Sequence, residues 1–248
     1  LPAARLVKGI EAAGIETAVV NASFPDVVNV ILRNHFGHGP VAGAGNVEVY
    51  VAQVVRYLVD VAGLDPRDFV VSLVGSHALL GHGPKVPHYL HITVGDRDVT
   101  DEYDLGEMTS WPEPIDWSRV DVFSLFAASA VKNVLALVGE DSLRNHVSGA
   151  NGLPGGYPVR IGGRQIDIDL PPGLTLDAAI TINEQAARWD GIAAIEADGT
   201  VVYTSEAFDA MAELGLGGRA FGFGELEDRA TRLSEVFEQL VNPEDNHA

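Results

Sequence analysis

The hydrophobic positions over residues 1–100 change repeatedly between a helical period and a strand period. Apolar residues spaced three and four apart predict helices, whereas unbroken or alternating apolar runs predict strands. A helix closed by Gly14 is expected at the start of the chain. The elements predicted after it are a strand at 17–22, helices at 26–34 and 46–62, a buried strand at 68–74 and a hairpin strand at 88–100.

The second half of the chain contains one segment, 120–139, that is apolar on almost every side and so predicts a long buried helix. Asp198-Gly199 between two apolar runs is typical of a hairpin turn. The whole pattern indicates an α/β fold with a mixed or antiparallel sheet and long buried helices. The other predicted elements here are strands at 157–161 and 165–171 and helices at 174–191, 205–214 and 224–240.

Composition excludes several classes of protein. The chain has 248 residues, of which 46% are hydrophobic, so it can bury a sizeable core. A net charge of −19 argues against nucleic acid or an anionic membrane as partner, because such partners require a basic face. The absence of cysteine excludes disulfides and thiolate metal sites. No stretch approaches ~20 consecutive apolar residues, so the expected setting is soluble and cytoplasmic.

His77 is the strongest candidate for chemistry. It follows a predicted buried strand and the two small residues Gly75-Ser76, which leave room for a ligand, and that position suits a general acid/base. A metal cluster with the neighbouring histidines is the alternative. His88 and His91 lie three apart in a predicted strand and so point to opposite faces. We predict no metal site, and an ordinary polar role for these two.

The glycine-rich loop at 43–46 lacks the spacing of a dinucleotide fingerprint. Glu48 stands where the third glycine would be, and its charge would repel a phosphate. In the first turns of the predicted helix, Glu48 could instead hold His77 in one tautomer and raise its pKa. The alternative is that Glu48 only favours the helix N-terminus.

The order of these parts resembles the lactate/malate dehydrogenase superfamily, from just before its middle to its C-terminus. The matching residues are Gly63 to Pro66, Gly75-Ser76-His77 and Val86-Pro87. The resemblance implies that residues 46–248 form the catalytic, substrate-binding domain. Residues 1–45 would then be the end of a Rossmann-like nucleotide-binding half that is mostly missing from this chain.

The resemblance implies an oxidoreductase that uses NAD or NADP to act on a secondary alcohol or ketone. His77 would be the acid/base, Glu48 its orienting partner, and Asn46, Gln53, Lys85 and Ser124 the substrate contacts. Where the family has Asn-Pro at a strand end, this sequence has Phe24-Pro25, so Asn21 and Ser23 are the expected stand-ins and cofactor contacts.

Other departures from the family pattern bear on substrate and assembly. Tyr50 and Gln53 stand where the family carries an Asp and an Arg that clamps a carboxylate, so a simple 2-hydroxy acid is not expected. The chain alone is expected to bind NAD(P) weakly, because it lacks a strand–G-x-G-x-x-G–helix unit. We expect a homo-oligomer, or a partner chain that carries the nucleotide-binding half.

Two other functions remain open at this point. The chain could be a catalytically degenerate dehydrogenase homologue that serves as an assembly subunit. It also resembles, more distantly, the NAD-dependent family 4 glycosidases. That family requires a cysteine and a histidine for its metal, and this sequence has no cysteine.

Overall fold

A computed structural model describes residues 1–112 and 123–241. The first part contains α1 (Pro2–Ala13), β1 (Val20–Asn21), α2 (Val27–Phe36), β2 (Ala42–Gly43), α3 (Val47–Asp60), β3 (Phe69–Val74), α4 (Ala78–His82), β4 (Tyr89–Val94), β5 (Arg97–Asp98) and α5 (Leu105–Ser110). The second part contains α6 (Phe123–Val138), β6 (Leu143–Ser148), β7 (Gly156–Gly162), β8 (Gln165–Ile168), α7 (Leu176–Ala187), β9 (Ile192–Ile195), β10 (Val201–Tyr203), α8 (Ser205–Glu213), β11 (Ala220–Phe221) and α9 (Leu226–Val241).

Three sheets organise these elements. The largest has the order β1-β2-β6-β7-β8, in which β1 and β2 are parallel and the other pairs are antiparallel. The strands β3, β4 and β5 form an antiparallel sheet, and β9, β10 and β11 form another. A bridge between Gly75 and Gly156 joins the end of β3 to the start of β7. The predicted α/β class with a mixed sheet is confirmed.

Helix α3 forms as predicted, because its apolar positions recur at helical spacing along one face. Val47, Tyr50, Val54 and Leu58 are buried on that face and belong to the same hydrophobic core as Leu73 of β3. A second core lies between the largest sheet and the helices α6 and α7. Strand β3 is thereby fixed between buried layers, and it delivers the residues after Val74 to a defined position.

The prediction that the 120–139 helix is buried is wrong for the described helix α6. Its buried positions include the polar Ser129 and Asn133, and several large apolar side chains point outward. The physical reason is that the loop before α3 and strand β6 offer polar partners to this helix. The Ser129 hydroxyl accepts from Gly45 N at 2.8 Å, and Asn133 Oδ1 accepts from the Asn145 amide at 2.6 Å. The exposed apolar face consists of Phe123, Leu125, Val131, Val134, Leu135 and Val138. Residues 120–122 of the predicted helix lie outside the described residues.

Residues on both sides of position 45 belong to one sheet, because β2 pairs with β6 through Gly43 and Ser148. The division at 45 into two domains stays a prediction. Of the strand predicted at 17–22, only Val20–Asn21 (β1) pairs with another strand. Within residues 1–112 and 123–241, every helix is too short or too polar to cross a bilayer.

Candidate active site

His77 lies where a buried strand turns into a short helix. Strand β3 ends at Val74. Two backbone hydrogen bonds between Gly75 and Gly156, with N···O distances of 3.3 and 2.7 Å, then hold Gly75 against β7. The backbone N–H of His77 then donates to Asp26 Oδ2 at 2.7 Å. The position of the histidine is therefore fixed by backbone contacts to two other segments of the chain.

The imidazole of His77 is held by Asp190. Nδ1 lies 3.2 Å from Asp190 Oδ2, and the two side chains are 29% and 19% exposed. The hydrogen bond to Asp190 raises the His77 pKa above its ordinary value of 6.5, and burial opposes the rise only in part. Because the folded-state pKa of His77 is raised, the contribution of this pair to the stability of the fold is fully present below about pH 6.5. That stability is lost as the pH rises through the folded-state pKa.

Asp26 is a second carboxyl group beside the histidine, and it is buried. Its Oδ1 accepts a hydrogen bond from the Asn46 amide, and its Oδ2 accepts from the His77 backbone. Burial raises the Asp26 pKa, and these hydrogen bonds oppose the rise. The carboxyl joins the start of α2 to the start of α3 and to the histidine loop. It belongs to the framework that positions His77.

A cavity of about 420 Å³ opens beside this pair. His77, Asp26 and Asp190 line it, together with apolar side chains from α2, α7 and β9. Among the residues that the structure describes, no lysine or arginine lines this cavity. Its walls are formed by Asp26, Val27, Val30, Asn34, Ser76, His77, Gly152, Leu153, Pro154, Gly155, Ile180, Asn183, Glu184, Ala187, Asp190, Ile192, Ala193, Ala194 and Ile195.

The predicted pairing of Glu48 with His77 is wrong. The Glu48 carboxylate forms an ion pair with Lys132 and accepts hydrogen bonds from Ser129 and, at 3.4 Å, from Asn145. The reason is geometric: the first turn of α3 directs this side chain towards α6 and β6, where a cation and two donors are available. Asp190 is the carboxylate that holds His77 instead.

The four predicted substrate contacts lie away from the cavity lining. Asn46 contacts the site only indirectly, because its amide donates a hydrogen bond to Asp26. Gln53 donates to the Thr109 carbonyl at 2.9 Å and so joins α3 to α5. Lys85 is exposed on the short turn after α4, and Ser124 is exposed in the first turn of α6. Contact of Gln53, Lys85 or Ser124 with a substrate stays a prediction.

The two predicted cofactor contacts form a local hydrogen-bonded turn after β1. Asn21 donates to Asn29 Oδ1 at 2.9 Å, and its own Oδ1 accepts from the Ser23 backbone at 2.9 Å. These bonds fix the loop that leads to Asp26. Contact of Asn21 and Ser23 with a nucleotide stays a prediction.

His88 and His91 have local partners. His88 Nδ1 lies 2.8 Å from the Val86 carbonyl, and His91 Nε2 lies 3.4 Å from Asp98 Oδ2. Over residues 1–112 and 123–241, no group of three or more His, Asp or Glu side chains is arranged to hold a metal ion.

Asp26 and Asp190 are the site residues that sequence reasoning missed. Asp26 follows Pro25 at the end of a strand, and a polar residue at that position is a usable signal. Asp190 stands 113 positions after His77 in a segment of helical periodicity, and no local pattern marks it.

Comparisons with known proteins support the fold. The structure is similar to the malate dehydrogenase from Aeropyrum pernix, with a TM-score of 0.51 and 16% sequence identity, over 76% of this chain and 67% of that one. A lactate dehydrogenase, MGS-M5 from a Medee basin deep-sea metagenome library, gives a TM-score of 0.43 and 15% identity, over 75% of this chain and 66% of that one. Each match thus spans about two thirds of the neighbour's length. No family model and no curated protein sequence matches this chain. The likeness to malate dehydrogenase shows a fold of the lactate/malate dehydrogenase type.

Proposed function

We propose that the protein is an NAD(P)-dependent oxidoreductase that acts on a secondary alcohol or ketone, with His77 as the general acid/base. The observation that carries this proposal is the His77–Asp190 pair at the edge of a 420 Å³ cavity. A histidine whose orientation is fixed by a carboxylate, and whose pKa that carboxylate raises, suits proton transfer.

The geometry assigns different tasks to the two ring nitrogens. Asp190 accepts a hydrogen bond from Nδ1, which favours the tautomer with the proton on Nδ1. Nε2 is then free to accept the hydroxyl proton of an alcohol, and the protonated ring returns it when a ketone is reduced. Protonation makes the ring cationic, and the adjacent Asp190 carboxylate stabilises that charge. The Asp26 contact to the backbone keeps the ring in place during both steps.

The cavity fits only one end of a nicotinamide dinucleotide. Val30, Ile180 and Ile192 supply apolar wall for a flat ring. The described lining has three carboxyl groups and no lysine or arginine, and it would repel a diphosphate. When bound, the nicotinamide would accept the hydride that leaves the alcohol carbon. We propose that the diphosphate is held outside this cavity.

A role in assembly is the second candidate, and the exposed apolar surface favours it. Val134 and Leu135 on α6 and Phe237 and Leu240 on α9 are among the exposed large apolar side chains. An exposed apolar helix face such as that of α6 marks an interaction site when its side chains form one patch. We propose a homo-oligomer or a partner chain that covers α6.

Leu135→Glu is expected to dissociate this assembly, because it places a charge in the centre of the α6 face. Sedimentation velocity at micromolar concentration measures the result. The control is Leu6→Glu on α1, a comparably exposed leucine outside that face, which should leave the assembly intact. A monodisperse monomer of 26.3 kDa for the unaltered chain contradicts the proposal.

A further inference from the structure

The charges along the cavity are not balanced. Asp190 is compensated by His77, and Asp26 is bonded to the Asn46 amide and the His77 backbone. Glu184, at the exposed rim on α7, makes no hydrogen bond or ion pair with the residues that the structure describes. Apart from His77, the described residues that line the cavity include no basic side chain. A negative field therefore meets any molecule that enters.

The side chain of Asn183, which precedes Glu184 in the sequence, also indicates a ligand. Asn183 is fully buried and lines the cavity, and its Nδ2 donates to the Gly156 carbonyl at 3.2 Å. Its Oδ1 has no hydrogen-bond partner within residues 1–112 and 123–241. A Cβ on Gly155 would lie 2.3 Å from this oxygen, so a glycine at this position leaves room for the Asn183 side chain. A buried acceptor without a donor is unfavourable, and a ligand N–H or O–H would satisfy it.

We infer that the cavity selects a secondary alcohol or ketone that carries an ammonium group, and that it rejects carboxylates. An ammonium group offers three donors and a positive charge, so it can donate to the Asn183 oxygen while the negative field of the lining stabilises its charge. A hydroxyl can satisfy the oxygen but not the charge. A carboxylate offers no donor and is repelled. The inference rests on the proposed function, because it names the substrate class of that same site.

Three probes with one carbon skeleton test the inference. Isopropanolamine, propylene glycol and lactate each carry a secondary hydroxyl on the middle carbon, and they differ in having a cationic, neutral or anionic neighbour. Each is titrated into the intact chain while the Cε1–H resonance of His77, assigned by its loss in His77→Gln, is followed by NMR. We expect isopropanolamine to bind at least ~10-fold more tightly than lactate at low salt, with propylene glycol between them.

Variants of α7 test whether Glu184 causes the preference for the cationic probe. Glu184→Gln should remove most of the preference, and Glu184→Lys should reverse it. Asp177→Asn is the matched control: it removes one charge from the same helix at a position that does not line the cavity, and it should leave the order unchanged. Lactate binding as tightly as isopropanolamine, or no probe shifting the His77 resonance, overturns the inference. The proposed function is judged separately, by turnover with NAD or NADP, so the two failures are distinguishable.

Discussion

Replacement of His77 by glutamine is expected to reduce turnover of a secondary alcohol by at least ~10²-fold, since general acid–base catalysis contributes typically ~10²–10⁴-fold. Glutamine keeps the approximate size of the side chain and its hydrogen-bonding capacity towards Asp190, but it cannot take up a proton. The loss should fall on kcat more than on KM. The measurement is the formation of reduced nicotinamide by the intact protein with NAD or NADP supplied at saturating concentration.

His88→Gln and His91→Gln are the controls, because these histidines bond to the Val86 carbonyl and to Asp98 and lie outside the cavity lining. Both should retain most of the activity. Equal losses of turnover in all three variants would contradict the role of His77 as the general acid/base. An unaltered chain that turns over no alcohol with either nucleotide, yet forms a stable oligomer, would favour the assembly function.

Gly155→Ala is expected to lower the free energy of unfolding by about 2–5 kcal/mol. Gly155 has φ +70°, a left-handed conformation that costs a residue with a Cβ roughly 1–2 kcal/mol. The added Cβ would also lie 2.2 Å from Asn183 Cγ, and such overpacking typically costs about 1–3 kcal/mol more. Because Asn183 is part of the cavity wall, the same change should disturb the site.

A matched glycine separates the two contributions. Gly163 has φ +56°, and a Cβ built on it meets nothing within 4 Å. Gly163→Ala should therefore lose only the backbone contribution and leave the cavity unchanged. Urea unfolding of both variants measures the difference. Equal losses would mean that the contact with Asn183 is not the cause.

The parts of the fold that could be predicted are those that local spacing determines. The apolar period of α3 and the unbroken run of β3 each specify one element, and the small residues Gly75-Ser76 mark the end of the second. The placement of His77 just after a buried strand could therefore be predicted, because it depends on one strand and the turn that follows. The Asp198-Gly199 hairpin turn was found for the same reason.

The parts that could not be predicted depend on contacts between distant segments. Periodicity says that α6 is apolar, but the polar partners at Gly45 and Asn145 decide which face is buried. Glu48 lies close to the glycine loop in sequence, yet Lys132 of α6 determines where its carboxylate goes. Asp190 contacts His77 only because α7 packs against the cavity, and the spacing of residues along the chain does not predict that packing.

The pKa of His77 is the most direct test of the claim that Asp190 prepares this histidine for proton transfer. An NMR titration of its Cε1–H resonance should give a midpoint above 6.5 in the intact chain and a lower midpoint in Asp190→Asn. His146 is an internal reference, because burial lowers its pKa to about 3 and it should not titrate near neutrality in either protein. A His77 midpoint that is the same in both proteins would contradict the account.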